Sequence, residues 1–530
     1  MSIIKQLLSQ LIFAVLLALT FAACGTNPTS GQKLVYGLTL SPTGIDPHIN
    51  ASAELGIPLR SVYDTLVFLD PASGEFVPGL AEAWDISEDG KQYIFHLRSD
   101  VVFHDGSKFD ANAVQANIDY VLNPDHHSQK AAALLGPIDN VEIIDSYTVA
   151  INMQEAFAPL LDSLSQVYLG MASPEALESW GPAEYQFHQV GTGPYRFVEY
   201  VPDDHILLER NDKYEWGPEI YRHDLASFAQ VEFRFYEDIA TRAIALESGN
   251  VDILGEIPPL DADRLAQAST FDLYPVPIPG QPLEYLFNTT TSPTDDVRVR
   301  KALIHAIDRN TIVDTVFGPT SPVSKGPLSQ ETFGHLLTST LPEHSIPEAY
   351  RLLDEAGWFV DDEGVLRNAA GDNFKIKIIA PIWGSNPDVA QLLKVSWENL
   401  GALVTLEIAP GFGPLREAQA RGDYHAIGIN FFGTDADLLR PMFSSNGLYN
   451  WTGYANSDLD RLLTAAAQES LNPDQRNLLY AQSIALINSQ ALVLPVRDYV
   501  NLVIANSQVT GLQYSASGWF PILVDLQPNS

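Results

Sequence analysis

Strand-like and helix-like segments alternate along almost the whole chain, and alternation sustained over this length restricts the fold to α/β lobes. Residues 34–40 (LVYGLTL), 231–236 (VEFRFY), 251–254, 374–380 and 404–408 read as strands. Residues 238–248, 296–308, 347–356, 388–400, 458–468 and 473–489 read as helices, with Gly249 and Gly357 as stops. Asp110 is a predicted N-cap, followed by Val114, Ile118 and Val121 on one helical face. Residues 88–90 (EDG) predict a hairpin between strands 83–86 and 93–98. Residues 63–70 (YDTLVFLD) read as a helix end running into a strand, with a turn at 71–74.

The chain has 530 residues, too many for one hydrophobic core, so two or three lobes are expected. Two apolar strands stand out: 283–288 (LEYLFN) and 492–497 (LVLPVR). An interlobe crossing at each creates a cleft with a hinge, a common setting for a ligand site. Hydrophobic residues make up 46% and charged residues 18%, a globular balance. A formal net charge of -36 leaves no basic face to displace counterions, which excludes nucleic acid as a partner.

The N-terminus carries Lys5, a short apolar run from Leu11 and small residues before Cys24. A charged start, a short apolar core and a small-residue cut site make a secretory signal, too short to cross a bilayer comfortably. Cys24 is the only cysteine, so no internal disulfide forms. Residues 22–24 (AAC) resemble the bacterial lipobox, which implies lipidation of Cys24 and a membrane attachment through that lipid. Residues 25–31 (GTNPTSG) read as a flexible tether.

Several motifs recur in a fixed order: 79–84 (GLAEAW), 87–90 (SEDG), 93–98 (YIFHLR), 102–106 (VFHDG), 191–195 (GTGPY) and 208–211 (LERN). They continue as 245–252 (ALESGNVD), 296–302 (DVRVRKA), 306–309 (AIDR) and 355–358 (EAGW). In this order the sequence resembles the dipeptide, oligopeptide and nickel binding proteins of ABC importers, family 5 of the extracellular solute-binding proteins. The resemblance implies a two-lobed α/β periplasmic-binding-protein fold with an extra subdomain in the first lobe. It sets residues 1–23 as signal peptide, 24–32 as lipid-anchored tether and 33–285 as lobe I with its inserted subdomain. Lobe II is 286–491, and 492–530 return to lobe I. It further implies a monomer outside the cytoplasmic membrane that captures a peptide-like ligand for ABC permease subunits, with no cofactor and no catalysis.

Most of these motifs read as structural. Residues 103–106 (FHDG) make a tight turn in which Gly106 takes positive φ, and His104 is a turn residue rather than a metal ligand. Residues 191–195 lack the downstream Lys-Ser/Thr of a phosphate loop. Arg298 and Arg300 read as surface or interlobe charges. A better candidate for ligand contact is 430–437 (NFFGTDAD), an apolar strand ending in a small-residue loop with carboxylates. Family peptide binders hold the peptide's α-ammonium with a carboxylate here, so the resemblance implies Asp435 as anchor, Asp437 as the alternative, and Phe432 beside them. A desolvated ammonium needs such a partner. Trp383 sits at a strand's carboxyl end, the ligand edge of an α/β lobe. Tyr63, Tyr449 and Trp451 are further cleft candidates, and Arg440 reads as a surface ion pair that a ligand carboxylate would also suit.

Three other readings compete. A nickel chelate would favour imidazole, but the pair His126-His127 lies in a polar loop, and 440–450 (RPMFSSNGLYN) has no histidine. Aromatic walls would also suit a sugar. A secreted hydrolase would need more than the Asp435 and Asp437 pair, and no Gly-x-Ser-x-Gly or His-Glu-x-x-His occurs.

Overall fold

The computed structural model describes residues 32–42, 44–52, 55–335 and 341–529. Cys24, the signal segment and nearly all of the tether lie outside the described residues. The first lobe is built on a seven-stranded sheet. At its centre Lys33–Leu38 runs parallel to Gln230–Phe235 on one side and to Ile253–Leu254 on the other. His205–Arg210 and Tyr195–Val201 extend one edge, and Val500–Asn506 and Phe271–Pro277 the other. A separate four-stranded antiparallel sheet carries the predicted hairpin: Ala81–Ile86 pairs with Gln92–Leu97 across a turn where Gly90 has φ 67°. Thr148–Met153 and Ile138–Asp145 complete it, so an additional antiparallel layer is inserted between strands of the main sheet.

The second lobe has a five-stranded sheet in the order Leu403–Ala409, Lys375–Pro381, Ala426–Gly428, Leu283–Phe287, Val493–Arg497. Side chains alternate across a strand, and both faces here are apolar. Leu283, Tyr285 and Phe287 pack in one core with Ile376 and Ile378, while Leu286 and Ile379 pack in another on the opposite face. The sheet is mixed, with two parallel and two antiparallel pairings, and helices cover both of its apolar faces. Asn386–Glu398 joins the two parallel strands and buries Trp397, whose indole donates to the Leu303 carbonyl at 2.9 Å.

The chain leaves the first sheet after Pro277, enters the second at Leu283, and returns between Arg497 and Val500. The two passages are tied together, with the Ile278 amide donating to the Tyr499 carbonyl at 2.9 Å. Gly280 lies on the first passage at φ 121°, where a Cβ would stand 2.5 Å from the Phe431 carbonyl oxygen, so no other residue fits without displacing backbone.

The local expectations hold at most helices. Asp110 caps Ala111–Leu122 by accepting from Asn112 and Ala113. Pro473–Ser489 has the predicted bounds, begun by the Asn472 cap and Pro473. Two expectations are corrected. The helix expected over 296–308 ends at His305, and Asp308 caps a second helix, Arg309–Phe317, by accepting from Thr311. Residues 63–66 are not a helix end, because the only helical turn nearby is Gly56–Leu59 and the strand is Val67–Leu69.

Candidate functional site

Where the lobes meet, the second lobe presents the segment after strand Ala426–Gly428. Gln281, on the first passage, holds that segment on both sides of one residue: its backbone N–H donates to the Phe431 carbonyl at 2.8 Å, and its side-chain Oε1 accepts from the Phe431 backbone N–H at 3.0 Å. Phe432 is thereby fixed at the hinge. Its ring lies edge-on to Tyr499 at 5.0 Å and to Trp519 at 5.2 Å, contacts of the favoured geometry for aromatic pairs. Two residues on, Thr434 reaches into the first lobe and donates its hydroxyl hydrogen to Oδ1 of Asp162. Gln166 donates to the other carboxylate oxygen at 2.9 Å. This Thr434–Asp162 bond clasps the two lobes across the cleft.

Beside the clasp is an inner cavity of about 70 Å³ lined by Arg60, Lys130 and Tyr168 from the first lobe and by Phe432, Thr434 and Trp519. It shares Leu69, Thr434, Ser515 and Ala516 with the lining of a neighbouring vestibule of about 600 Å³, whose walls include Asp70, Tyr274 and Glu331. The inner chamber has room for a few waters or one small polar group, whereas the vestibule has the size of an ordinary small-molecule pocket, about 300–1,000 Å³.

The charges of the two chambers differ in how they are matched. Lys130 holds its ammonium 3.9 Å above the Tyr168 ring and makes no ion pair among the described residues. Burial brings its pKa down to about 8, while Asp162 pulls it back up. Arg60 is buried, donates through Nη1 to the Ser165 carbonyl at 2.9 Å and lies 4.3 Å from the Phe68 ring centre. Burial also lowers its pKa from the ordinary arginine value. Burial pushes the Asp162 carboxyl up to about 6, and repulsion from Asp435 adds to this, against the bonds from Thr434 and Gln166 and the charge of Arg476.

The carboxylate expected to wait for an ammonium, Asp435, is engaged within the fold. Arg476 grips Asp435 in a two-pronged pair, Nη1 to Oδ2 at 2.7 Å and Nη2 to Oδ1 at 2.8 Å. Both side chains are under one-tenth exposed, and Oδ1 also accepts from the Asp437 amide at 2.7 Å. Asp437 is matched as well, by Arg440 through Nη2 at 2.6 Å and Nε at 2.9 Å. Burial nevertheless raises the Asp437 pKa, with the Arg440 bonds opposing it.

Of the aromatic candidates, Phe432 lines the inner cavity, while Tyr63, Trp383 and Trp451 line neither chamber. Tyr63 is wholly buried in the first lobe with its hydroxyl bonded to Tyr185 and Gln189, both at 2.8 Å. Trp451 is buried in the second lobe and its carbonyl accepts from the Tyr424 hydroxyl, while Trp383 packs against the same core. Tyr449 packs against Phe431 with the rings tilted at 44° and their centres 4.5 Å apart. His104 bonds to the Gly193 carbonyl at 3.0 Å, inside the turn where Gly106 has φ 90°. At Gly191 a Cβ would lie 2.1 Å from the Val62 carbonyl oxygen, so the glycines of 191–195 serve close backbone packing. Arg60, Lys130, Asp162, Thr434 and Trp519 were not singled out by sequence. Only Thr434 stood inside a flagged segment.

Known proteins match this arrangement across almost its full length. The chain is 26% identical to heme-binding protein A of Haemophilus influenzae over 525 residues, covering 93% of this chain and 91% of that protein. It is 28% identical to the glutathione-binding protein GsiB of Salmonella paratyphi A over 485 residues, covering 88% and 89%. The crystal structure of NikA from Brucella suis in complex with Fe(III)-EDTA superposes with a TM-score of 0.83 at 25% identity, covering 94% of this chain and 99% of NikA. A family model matches residues 75–456, most of the chain. With the two lobes, the inserted sheet and the clasped cleft, that match places the chain in the family of bacterial extracellular solute-binding proteins, family 5.

Proposed function

We propose that this protein is an extracytoplasmic lipoprotein that captures a peptide or peptide-like solute between its lobes and delivers it to an ABC import permease, without chemical turnover. The observation that carries the reading is the two-chambered cleft: a vestibule of about 600 Å³ shares four lining residues with an inner cavity, and Thr434 of that shared wall bonds Asp162 across the lobes. Capture by closure needs a solute-sized space bounded by both lobes and a few bonds that form only on closing. The solutes named for the relatives, heme, glutathione and an iron–EDTA chelate, differ in shape but all carry carboxylates. Glutathione is itself peptide-like, which favours the peptide reading. The second reading, a metal chelate in the same cleft, draws on the likeness to NikA.

Mass spectrometry of solute released from the purified protein distinguishes the two, and incubation of the released solute with protein tests turnover. A peptide recovered unchanged supports the first reading, a metal complex the second, and a cleaved product overturns both. Attachment is tested at Cys24: wild type partitions into detergent and Cys24→Ser does not. Equal partitioning removes the lipid anchor and leaves the binding role standing.

A further inference from the structure

The inner chamber is unusual in being lined by donors that lack acceptors. Lys130 brings an ammonium with three N–H groups and no ion pair among the described residues. Arg60 uses Nη1 on backbone and on Thr65, while its Nε and Nη2 make no hydrogen bond among the described residues. Trp519 carries a buried indole N–H with no partner among the described residues. Two carboxylates act on this group: Asp162, near Lys130, has both oxygens engaged by Thr434 and Gln166, and Asp64, whose field reaches Arg60, is engaged by Thr192, Tyr214 and Trp216; Asp435 behind Asp162 is closed by Arg476. The buried indole N–H without an acceptor is costly and the half-buried Lys130 ammonium has no paired counter-charge, so the set is suited to a ligand that completes it. The acidity of the whole chain, net -36, makes this local surplus of donors all the more particular to the site.

We propose that the inner chamber is a carboxylate pocket, in which Lys130, Arg60 and the indole N–H of Trp519 receive an acidic group of the solute while its body fills the vestibule. This deepens the reading of the cleft as the solute site and rests on it. The sizes agree: about 70 Å³ suits one carboxylate and not a dipeptide, and the remainder has about 600 Å³ outside. The vestibule also carries the opposite sign. Asp70 and Glu331 stand on its wall, so a zwitterionic solute enters acid end first with its ammonium toward the mouth. That polarity is the reverse of the one expected from an ammonium anchor at Asp435. Tyr168, under the Lys130 ammonium, holds it in place through its ring and through the bond from its hydroxyl to the Ser52 carbonyl at 3.0 Å.

Calorimetric titration tests the pocket with four probes: the dipeptide Met-Leu, Met-Leu amide, glutathione and succinate. Wild type, Lys130→Met and Lys130→Arg are compared, each first shown to be folded by its circular dichroism and melting transition. The free acids should bind wild type at least about tenfold more tightly than the amide, and Lys130→Met should lose about tenfold for the acids and nothing for the amide. Lys130→Arg should restore most of the loss, because it returns the charge. Equal binding of Met-Leu and its amide overturns the carboxylate pocket and leaves the peptide reading intact. Succinate binding that depends on Lys130, without any peptide binding, supports the pocket and overturns the peptide reading. A wild type that binds none of the four overturns the pocket, as does a Lys130→Met protein that binds the acids like wild type.

Discussion

Arg476 and Lys130 stand on opposite sides of one cleft and have opposite fates. Arg476 is buried with its guanidinium closed on Asp435 and further bonded to the Ala466 carbonyl at 3.1 Å. Lys130 has only the face of an aromatic ring and the distant field of Asp162. The first is an internal brace that sets the shape of the Thr434 segment. The second is an unfinished site. Only Lys130 lines the inner chamber, while Arg476 is buried within the second lobe. What separates them is whether the fold itself supplies the counter-charge.

The largest effect that follows is on stability. Asp435→Ala leaves the Arg476 charge buried without its partner and should cost about 3–5 kcal/mol, read as a lower urea midpoint. Asp437→Ala opens a pair whose arginine is two-fifths exposed, so it should cost at most about 1 kcal/mol. Comparable losses in the two variants would break the distinction between brace and rim.

The clasp gives the next effect, on closure. Asp162 faces Asp435, Arg476 and Lys130 and accepts from Thr434 and Gln166. Its pKa stands at about 6 in the closed form against an ordinary 3.8, and opening the lobes returns water to it. The closed form therefore holds a proton that the open form has lost between those two values, so closure is favoured as pH falls toward 4 and weakened as pH rises through 6. Small-angle scattering of the solute-free protein should give a smaller radius of gyration at pH 5 than at pH 7.5. Asp162→Asn should stay at the compact value at both. A radius independent of pH in wild type would contradict the sign worked out here.

How much of this was readable in advance depended on range. The helix Pro473–Ser489 and the hairpin at Gly90 followed from caps, proline placement and period, all features within a few residues. The break at Asp308 was missed because an aspartate at that position reads equally as mid-helix polarity or as a cap, and only the Thr311 bond decides. The site was hidden for a different reason. Arg476 lies 41 residues from the carboxylate it closes, so Asp435 looked free in sequence. Lys130 ends a polar stretch, 123–130 (NPDHHSQK), that reads as solvent-facing, and Arg60 sits between Leu59 and Ser61 with nothing local to mark it. The family resemblance located the segment around Phe432 and left open which side chains there were already satisfied.

Lys130 also has a stability signature smaller than either brace effect. With its folded pKa near 8 and an ordinary value of 10.5, the folded protein holds fewer protons than the unfolded chain between those values. Wild type should then gain stability relative to Lys130→Met as pH rises from about 8 to 10.5. At pH 7 the variant should melt no lower than wild type, because methionine fits the apolar stem without a charge to desolvate. A marked drop in melting temperature would mean that Lys130 is a brace like Arg476, and the contrast between the two would collapse.

The smallest effect comes from a third carboxyl, which isolates what the partner contributes. Glu284 lies on the strand Leu283–Phe287 that leads from the hinge, fully buried, with Oε1 accepting from Gln281 at 2.9 Å and Oε2 without a partner. No cation approaches it among the described residues, so burial holds its pKa well above the ordinary 4.5, against the Gln281 bond. Burial without a counter-charge thus favours its neutral form. Glu284→Gln keeps the size and the neutral state, and should change the urea midpoint by less than about 1 kcal/mol in equivalent stability. The folded carboxyl keeps a proton that the unfolded chain releases above about 4.5, so wild type should lose stability relative to the variant as pH rises from there. A Glu284→Gln protein destabilised as strongly as Asp435→Ala would show that the Glu284 carboxyl is ionised. Burial without a partner would then no longer separate a neutral acid from a braced one in this fold.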